Sequence, residues 1–490
     1  MVQDTERADK EVTRKPWLLE FRSSNGFILA TVCVAIFTDA FLYGVVVPVL
    51  PFSLRERSGV PEDEVQWWTS FIFAVFGAAI LIGSPICGWV ADHTKNRSVI
   101  YFAGLFILAT ATLLFGLAKA CWVLVISRIL QGLSAAIVYT VGLALLVDTV
   151  GRDRIGQWMG TALSSSSFGL IISPFLGGIV YAKAGYMAVF GMAMGLIVVD
   201  ILMRMLMIEK KTAAKYLPMD ALTTENGFYG TFNDEVHNHA SQHDYGNSNA
   251  TESNRDPSNS LKDQDDSRKR TRLPPVITLL GSPRLLAAIY GIFVNVSILA
   301  AFDGVLGLFV KTKFHWDSLA AGLIFLCIAI PALTGPLVGK LSDKFGPRWI
   351  GVAGCVLATP PLILLRLVNH DSMDQKVLLC GLLFLCGCTL ILIVSPLAAD
   401  LSDVIVEKEK QEPGIFGPGG AYAQGFALFN CSMAAATLFG PVIAGTLSEQ
   451  YGWETMAIAM GVFASSGAIP SVNFSSPMQK DMLKTCKNHN

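Results

Sequence analysis

Two carboxylates sit where a carboxylate is costly. Asp39 lies inside the apolar run 34–51, VAIFTDAFLYGVVVPVLP, and Asp303 inside NVSILAAFDGVLGLF. A charged Asp at the centre of a membrane-length helix costs about 2.5–3.5 kcal/mol on insertion, so each must face protein or a water-filled cavity. Desolvation disfavours the charged form of a carboxylate. An acid held there can carry a proton or a cation and release one when it takes the other. Tyr43 follows Asp39 by one helical turn on the same face, where its hydroxyl can bond the site or its ring can stack on a cation. Asn295, two turns before Asp303, either orients that acid or makes an interhelical hydrogen bond. Arg128 is the one basic residue deep in the first half of the chain. A guanidinium stays charged and needs a partner. The expected partner is Asp39, whose protonation it would bias in one of two states. The alternative is a fixed ion pair or bonds to backbone carbonyls. Asp200 and Arg204, four residues apart, are expected to form a structural pair.

These residues need membrane-length helices to position them, and the composition supplies them. The chain has 490 residues, is 52% hydrophobic and 15% charged, and has a mean hydropathy of +0.50. Average usage is about 25% charged residues, so a soluble enzyme is excluded and no enzymatic activity is expected. Apolar blocks at 27–50, 66–91, 99–118, 122–147, 156–181 and 186–207 form a first group of six. Blocks at 285–310, 318–341, 349–367, 376–401, 419–447 and a shorter one at 453–472 form a second. Each is long enough for a hydrocarbon core of about 30 Å. The reading is an all-α polytopic membrane protein of twelve transmembrane helices in two six-helix halves. It divides into an N-terminal tail (1–26), a first half (27–207), a linker (208–283), a second half (284–472) and a C-terminal tail (473–490).

The linker is rich in Asn, Ser and Asp and buries too little to offset its ordering entropy, so disorder is expected. Lys and Arg are concentrated in the tails and even-numbered loops, which places both termini and the linker in the cytoplasm. No cleavable leader is expected before the first span. The cysteines are scattered and suggest packing residues rather than disulfides. The linker histidines His237, His239 and His243 have nothing to fix their geometry, so no metal site is expected. There is no phosphate-binding glycine loop. Partners are therefore expected to be a small molecule, protons and the lipid bilayer, with no cofactor, nucleotide or nucleic acid.

The two groups are copies. SPICGWVADHTKNR (84–97) matches GPLVGKLSDKFGPR (335–348), pairing Gly88, Asp92 and Arg97 with Gly339, Asp343 and Arg348. SPFLGGIVYAKAGY (173–186) matches GPVIAGTLSEQYGW (440–453). Two such halves imply a pseudo-twofold axis along the membrane normal with a substrate site between them at mid-depth.

These motifs resemble those of the major facilitator superfamily over nearly the whole chain. GWVADHTKNR and GKLSDKFGPR resemble its loop signature between spans 2 and 3, with His93 and Lys95 as departures. RILQG resembles its span 4 element at Arg128, Gln131 and Gly132. GLIISPFLGG resembles the span 5 element of its antiporters, keeping Gly169, Pro174, Gly177 and Gly178, with Ser173 in place of a Gly. TDAFLYGVVVPVLP is similar to the first span of vesicular monoamine transporters, relatives of the fungal twelve-span drug:proton antiporters. In that group a span 2 lysine and a span 11 acid pair. Phe76 and Asn430 stand at those positions here, so monoamine specificity is not implied. The resemblance implies multidrug-type efflux of small organic, amphipathic or cationic compounds by proton antiport. The loop clusters would latch the halves in the outward-open state. A vacuolar or vesicular amine importer and a non-transporting sensor on the same fold are the alternatives. The plasma membrane is the first expectation for location, a vacuolar or vesicular membrane the second.

Overall fold

The computed structural model describes residues 16–93, 97–150, 155–208, 213, 279–411 and 422–473. Both tails beyond these limits, most of the linker 208–283 and its three histidines lie outside the described residues.

Span 1 is Asn25–Val46, opened by Ser24, whose Oγ accepts from the Phe27 amide at 3.2 Å. This side-chain cap satisfies one of the amides a helix start leaves unpaired. Span 2 is Val65–His93 and span 3 Arg97–Leu117. Span 4 begins as Cys121–Ile137, passes through a π-helical turn at Val138–Gly142 and resumes as Leu143–Val150. Span 5 is Ile155–Ala184 and span 6 Tyr186–Leu206. In the second half, span 7 is Pro283–Phe314. Span 8 is a chain of three pieces, Ser318–Ala329, a 3₁₀ stretch Ile330–Thr334 and Gly335–Phe345. Pro331 and Pro336 bracket this break, each lacking the amide that an unbroken α-helix would use. Span 9 is Pro347–Leu364 and span 10 Met373–Gln411. Spans 11 and 12 run together as Tyr422–Ser466, broken at Gly452.

Ten of these helices are long and apolar enough to cross a membrane; one of them, Leu428–Pro470, holds two passes, and Ser318–Thr334 is a shorter apolar helix. Together they make the twelve passes of the sequence reading. Span 10 continues as helix to Gln411, about ten residues beyond its expected end, so part of the long loop expected after it is helical. The short span 12 is anchored at its start. Trp453 is buried, stacks on Phe309 with centroids 3.7 Å apart, and donates its indole N–H to the Leu365 carbonyl at 2.9 Å.

The repeat seen in the sequence is also conformational. Gly185 (φ 80, ψ 179) separates spans 5 and 6, and Gly452 (φ 83, ψ 166) separates spans 11 and 12. The two are equivalent in the matched segments, and both use a positive-φ backbone that glycine adopts freely. For orientation, the end of the bundle holding residues 16–24 and 208 is called proximal, and the end holding the 47–64 connection distal.

Candidate functional site

Toward the distal end the halves are packed through glycines. A Cβ on Gly178 of span 5 would lie 2.6 Å from the Ser318 carbonyl, and one on Gly322 of span 8 would lie 2.6 Å from the Pro174 carbonyl. Gly445 of span 11 is the repeat equivalent of Gly178. A Cβ there would run into the Ser70 side chain and lie 3.1 Å from Nε2 of Gln66, both in span 2. Polar bonds cross at the same level. Gln66 Nε2 donates to the Gly304 carbonyl at 2.9 Å, and Lys311 Nζ to the Pro51 carbonyl at 3.4 Å. This conformer is closed distally.

The predicted acids lie just inside that closure. Tyr43 donates its hydroxyl to Asp303 Oδ2 at 3.0 Å, joining span 1 of one half to span 7 of the other. Asp303 is half-buried, whereas Asp39 is only 2% exposed and its Oδ1 accepts no hydrogen bond. Asp39 and Asp303 do not touch; Tyr43, one turn on from Asp39, is the group that reaches across.

Arg128 is fully buried, and in this conformer Asp39 does not pair with it. No ion pair to Arg128 forms among the described residues. Its Nη1 instead donates to Gln131 Oε1 at 2.6 Å. Its guanidinium carbon lies 5.1 Å from the ring centroid of Phe115, 5.3 Å from Phe73, 5.7 Å from Phe76 and 5.8 Å from Tyr43. Four ring faces within about 6 Å supply the negative quadrupole that a desolvated cation needs. Asp39 and Asp303 remain within electrostatic range of it. Arg128 is therefore a cation caged by aromatic rings. Phe76, where the monoamine group carries a lysine, is one wall of the cage and also packs 5.0 Å from Tyr43.

Asn295 does not orient Asp303. Its Nδ2 donates to the Leu390 carbonyl at 2.8 Å, tying span 7 to span 10, so the interhelical reading holds. Asn430 donates to Ser84 Oγ at 3.3 Å, a further bond between the halves. Asp200 and Arg204 are both buried but form no hydrogen-bonded pair, since neither Asp200 oxygen accepts a bond. Arg204 lies over the Tyr101 ring at 4.4 Å and reaches Met207 Sδ at 3.4 Å.

The span 5 residues are explained by contact. A Cβ on Gly169 would lie 2.8 Å from the Phe37 carbonyl and one on Gly177 2.6 Å from the Val45 carbonyl, so both let span 1 pack closely. Pro174 lies within span 5 between them. The serine run 164–167 is divided. Ser166 is buried and bonded to Tyr139 at 2.7 Å, while Ser164 and Ser165 line a cavity of about 430 Å³ with Cys33 and Phe168. Of the proximal loop clusters, the side chains of Asp92, Arg97 and Asp343 lie outside the described residues. Gly88 and Gly339 have open space around them, and Arg348 lies over Trp349 at 5.6 Å.

The sequence reading missed the proximal tie of the second half. Arg284, at the start of span 7, bonds Asp400 Oδ1 through Nε at 3.0 Å and through Nη2 at 2.5 Å, and Glu407 through Nη1 at 2.9 Å. Both acids are in span 10. An Arg beside an apolar helix start was the available signal, but its partners lie more than a hundred residues away.

Two six-helix bundles meeting over buried acids, with closure at one end, define a membrane transporter. The chain belongs to the Major Facilitator Superfamily, whose sequence profile matches residues 32–412. It is 32% identical to an uncharacterized MFS-type transporter of Schizosaccharomyces pombe, over 93% of this chain and 96% of that one. A probable vesicular acetylcholine transporter of Danio rerio is 30% identical over 34% of this chain and 35% of its own. Among solved structures, the human organic anion transporter MFSD10 superposes with a TM-score of 0.56 at 14% identity, over 91% of this chain and 99% of that one. At that identity the likeness shows the fold.

Proposed function

We propose that this transporter exports small organic, amphipathic or cationic compounds in exchange for protons, by alternating access between its two halves. The observation that carries this reading is the Tyr43–Asp303 hydrogen bond, an intramembrane acid of one half held by the other half across the interface. Such a bond exists only while the distal end is closed. Loading Asp303 or Asp39 with a proton or with cargo then bears directly on which end is open, because buried acids in a membrane bundle mark ion and substrate pathways. The caged Arg128 supplies a fixed positive charge beside Tyr43, the residue bonded to Asp303, so cargo and proton compete in one field. Small and aromatic lining residues favour ligands recognised by shape and π-faces over ligands needing many directed hydrogen bonds.

With the termini and the linker 208–283 on the cytoplasmic side, the distal closure faces away from the cytoplasm. The plasma membrane is the proposed location. A vesicular or vacuolar amine importer is the second reading, supported by the partial likeness to a vesicular acetylcholine transporter. The chemistry is the same in another membrane, and fluorescent tagging of the whole chain separates the two. The test of function is transport of a compound panel into liposomes containing the purified protein, driven by an imposed pH gradient. Asp39→Asn and Asp303→Asn are expected to abolish gradient-driven uptake. Full uptake by both variants overturns the reading.

A further inference from the structure

The second half holds a cavity that the transport reading does not use. It has a volume of about 390 Å³ and lies between spans 7, 11 and 12. Phe293 and Ser297 of span 7, Phe439 and Gly440 of span 11, and Met460 and Phe463 of span 12 line it. Its rings stand edge to face around Phe293, with centroids 6.4 Å from Phe439 at 68° and 6.2 Å from Phe463 at 87°. Ser297, Gly440 and Met460 are buried, whereas Phe439 is 48% exposed. Span 11 meets span 2 where Leu438 packs on Gly77, and span 7 where Gly440 packs on the Ser297 carbonyl. Phe439 points to neither, so the cavity opens on the lipid-facing side of the bundle.

Ser297 is 3% exposed, and its hydroxyl makes no hydrogen bond. A helical serine or threonine can return its hydroxyl to the carbonyl one turn back, as Thr437 does to Met433 at 3.0 Å. Ser297 does not, so a spare donor stands beside an apolar space. Native proteins bond nearly all their buried polar atoms, and each exception calls for a reason. A trapped water is a poor partner, because it needs about two to four polar contacts and Ser297 is the one polar side chain lining the cavity. A lipid tail can fill the space but has no atom to accept the bond. Lipid ester groups lie too far off. Ser297 is about 21 Å along the axis of span 7 from Pro283 and about 25 Å from Phe314, which is mid-depth in a hydrocarbon core of about 30 Å. No lining residue is charged, so a cation would leave water without a counter-ion.

We propose that this cavity is a ligand site of the second half, reached from the lipid, for a neutral aromatic compound with one hydrogen-bond acceptor, an aryl ketone or aryl ether. The Ser297 hydroxyl donates to the acceptor, and the ligand's rings pack against Phe293, Phe439 and Phe463. Such ring pairs stabilise beyond the area they bury. The volume falls in the range of about 300–1,000 Å³ usual for small-molecule pockets, which pair an apolar lining with a few placed polar groups. The site is separate from the Tyr43–Asp303 contact and does not depend on proton coupling. A ligand held there touches the second half alone and leaves the space between the halves to cargo.

Benzophenone is a compound of this class and also a photolabel. Excited by near-ultraviolet light, its carbonyl oxygen takes a hydrogen atom from a C–H bond. The two carbon radicals then join and the ketone becomes a tertiary alcohol, so the protein gains the whole mass of the probe. The full-length protein in liposomes is labelled, digested and read by mass spectrometry. Saturable labelling of Met460 is expected, since the carbons beside its sulfur give up hydrogen readily. Diphenyl ether, which has an acceptor, and diphenylmethane, of similar shape without one, are then used as competitors. The ether is expected to displace the label at about 5-fold lower concentration, the worth of one neutral hydrogen bond. That difference should vanish in Ser297→Ala, a variant that removes no hydrogen bond from the free protein. Ala459→Phe, at another lining position, should fill the cavity and abolish the Met460 label. Labelling that never saturates, that spreads evenly over the exposed Ile458 and Val462, or that persists in Ala459→Phe overturns the site. Equal displacement by the two competitors in the unaltered protein overturns the assigned ligand class.

Discussion

Tyr43→Phe isolates one bond between the halves. The substitution removes the hydroxyl that reaches Asp303 Oδ2 at 3.0 Å and leaves the ring contacts with Phe73, Phe76 and Arg128 in place. A hydrogen bond to a neutral partner contributes about 1 kcal/mol and one to a charged partner about 1.5–3 kcal/mol. The bond joins the two halves and is lost when the distal end opens, so its whole value falls on the closed state. The closed-to-open ratio is therefore expected to drop about 5- to 150-fold, the larger figure applying when Asp303 is ionised. Hydrogen–deuterium exchange on the full-length protein in lipid reads this directly. Amides around Gln66–Ser70 and Ser318–Gly322, which form the distal closure, should exchange faster by that factor. Amides in the middle of span 3, remote from the interface, should not change. Unchanged exchange at the distal closure would refute the claim that this bond holds the conformer shut.

Filling the glycine contacts should act on the same equilibrium. Gly178→Ala and Gly322→Ala each force a methyl against backbone carbonyl oxygen, so both should speed distal exchange, whereas Gly191→Ala, which meets open space, should not. Arg128→Lys keeps the charge but loses the flat guanidinium that lies among four rings and bonds Gln131. Thermal unfolding in detergent should show a loss of about 1–3 kcal/mol, read as a lowered midpoint. Arg284→Ala leaves Asp400, which is nearly buried, without its partner. The variant is expected to be less stable by about 1–3 kcal/mol, and Asp400→Asn in the same chain should recover part of that loss, as a double-mutant cycle would record.

Much of this architecture was legible because membrane helices announce themselves. Apolar length fixed the number of passes, and the internal repeat fixed their grouping. The two positive-φ glycines, Gly185 and Gly452, sit at equivalent places in segments already matched by sequence. Side-chain partners were less legible. The expectation for Arg128 followed a sound rule, that a buried cation needs compensation, but counted only acids and backbone carbonyls. Phe73, Phe76, Phe115 and Tyr43 come from three helices, and their convergence depends on packing that spacing within one helix cannot reveal. Gln131, three residues on, was visible in RILQG and would have been the better guess. Asp200 and Arg204 obeyed helical spacing yet turned to different neighbours, because Tyr101 offered the guanidinium a face. The π-helical turn left only a faint signal, Thr140 bonding back to the Ala136 carbonyl at 2.6 Å and a glycine two residues later.

Part of the distal closure places main chain against main chain, at Gly178 and Gly322. A lid of that kind has no chemical preference for what lies beneath it. Interior residues other than Tyr43 and Asp303 can drift toward new cargoes over evolutionary time without retuning this part of the door, provided the two glycines stay bare. The expected mark on populations of such proteins is lopsided tolerance: liberal change beneath the lid, and almost none in the few atoms where the halves graze.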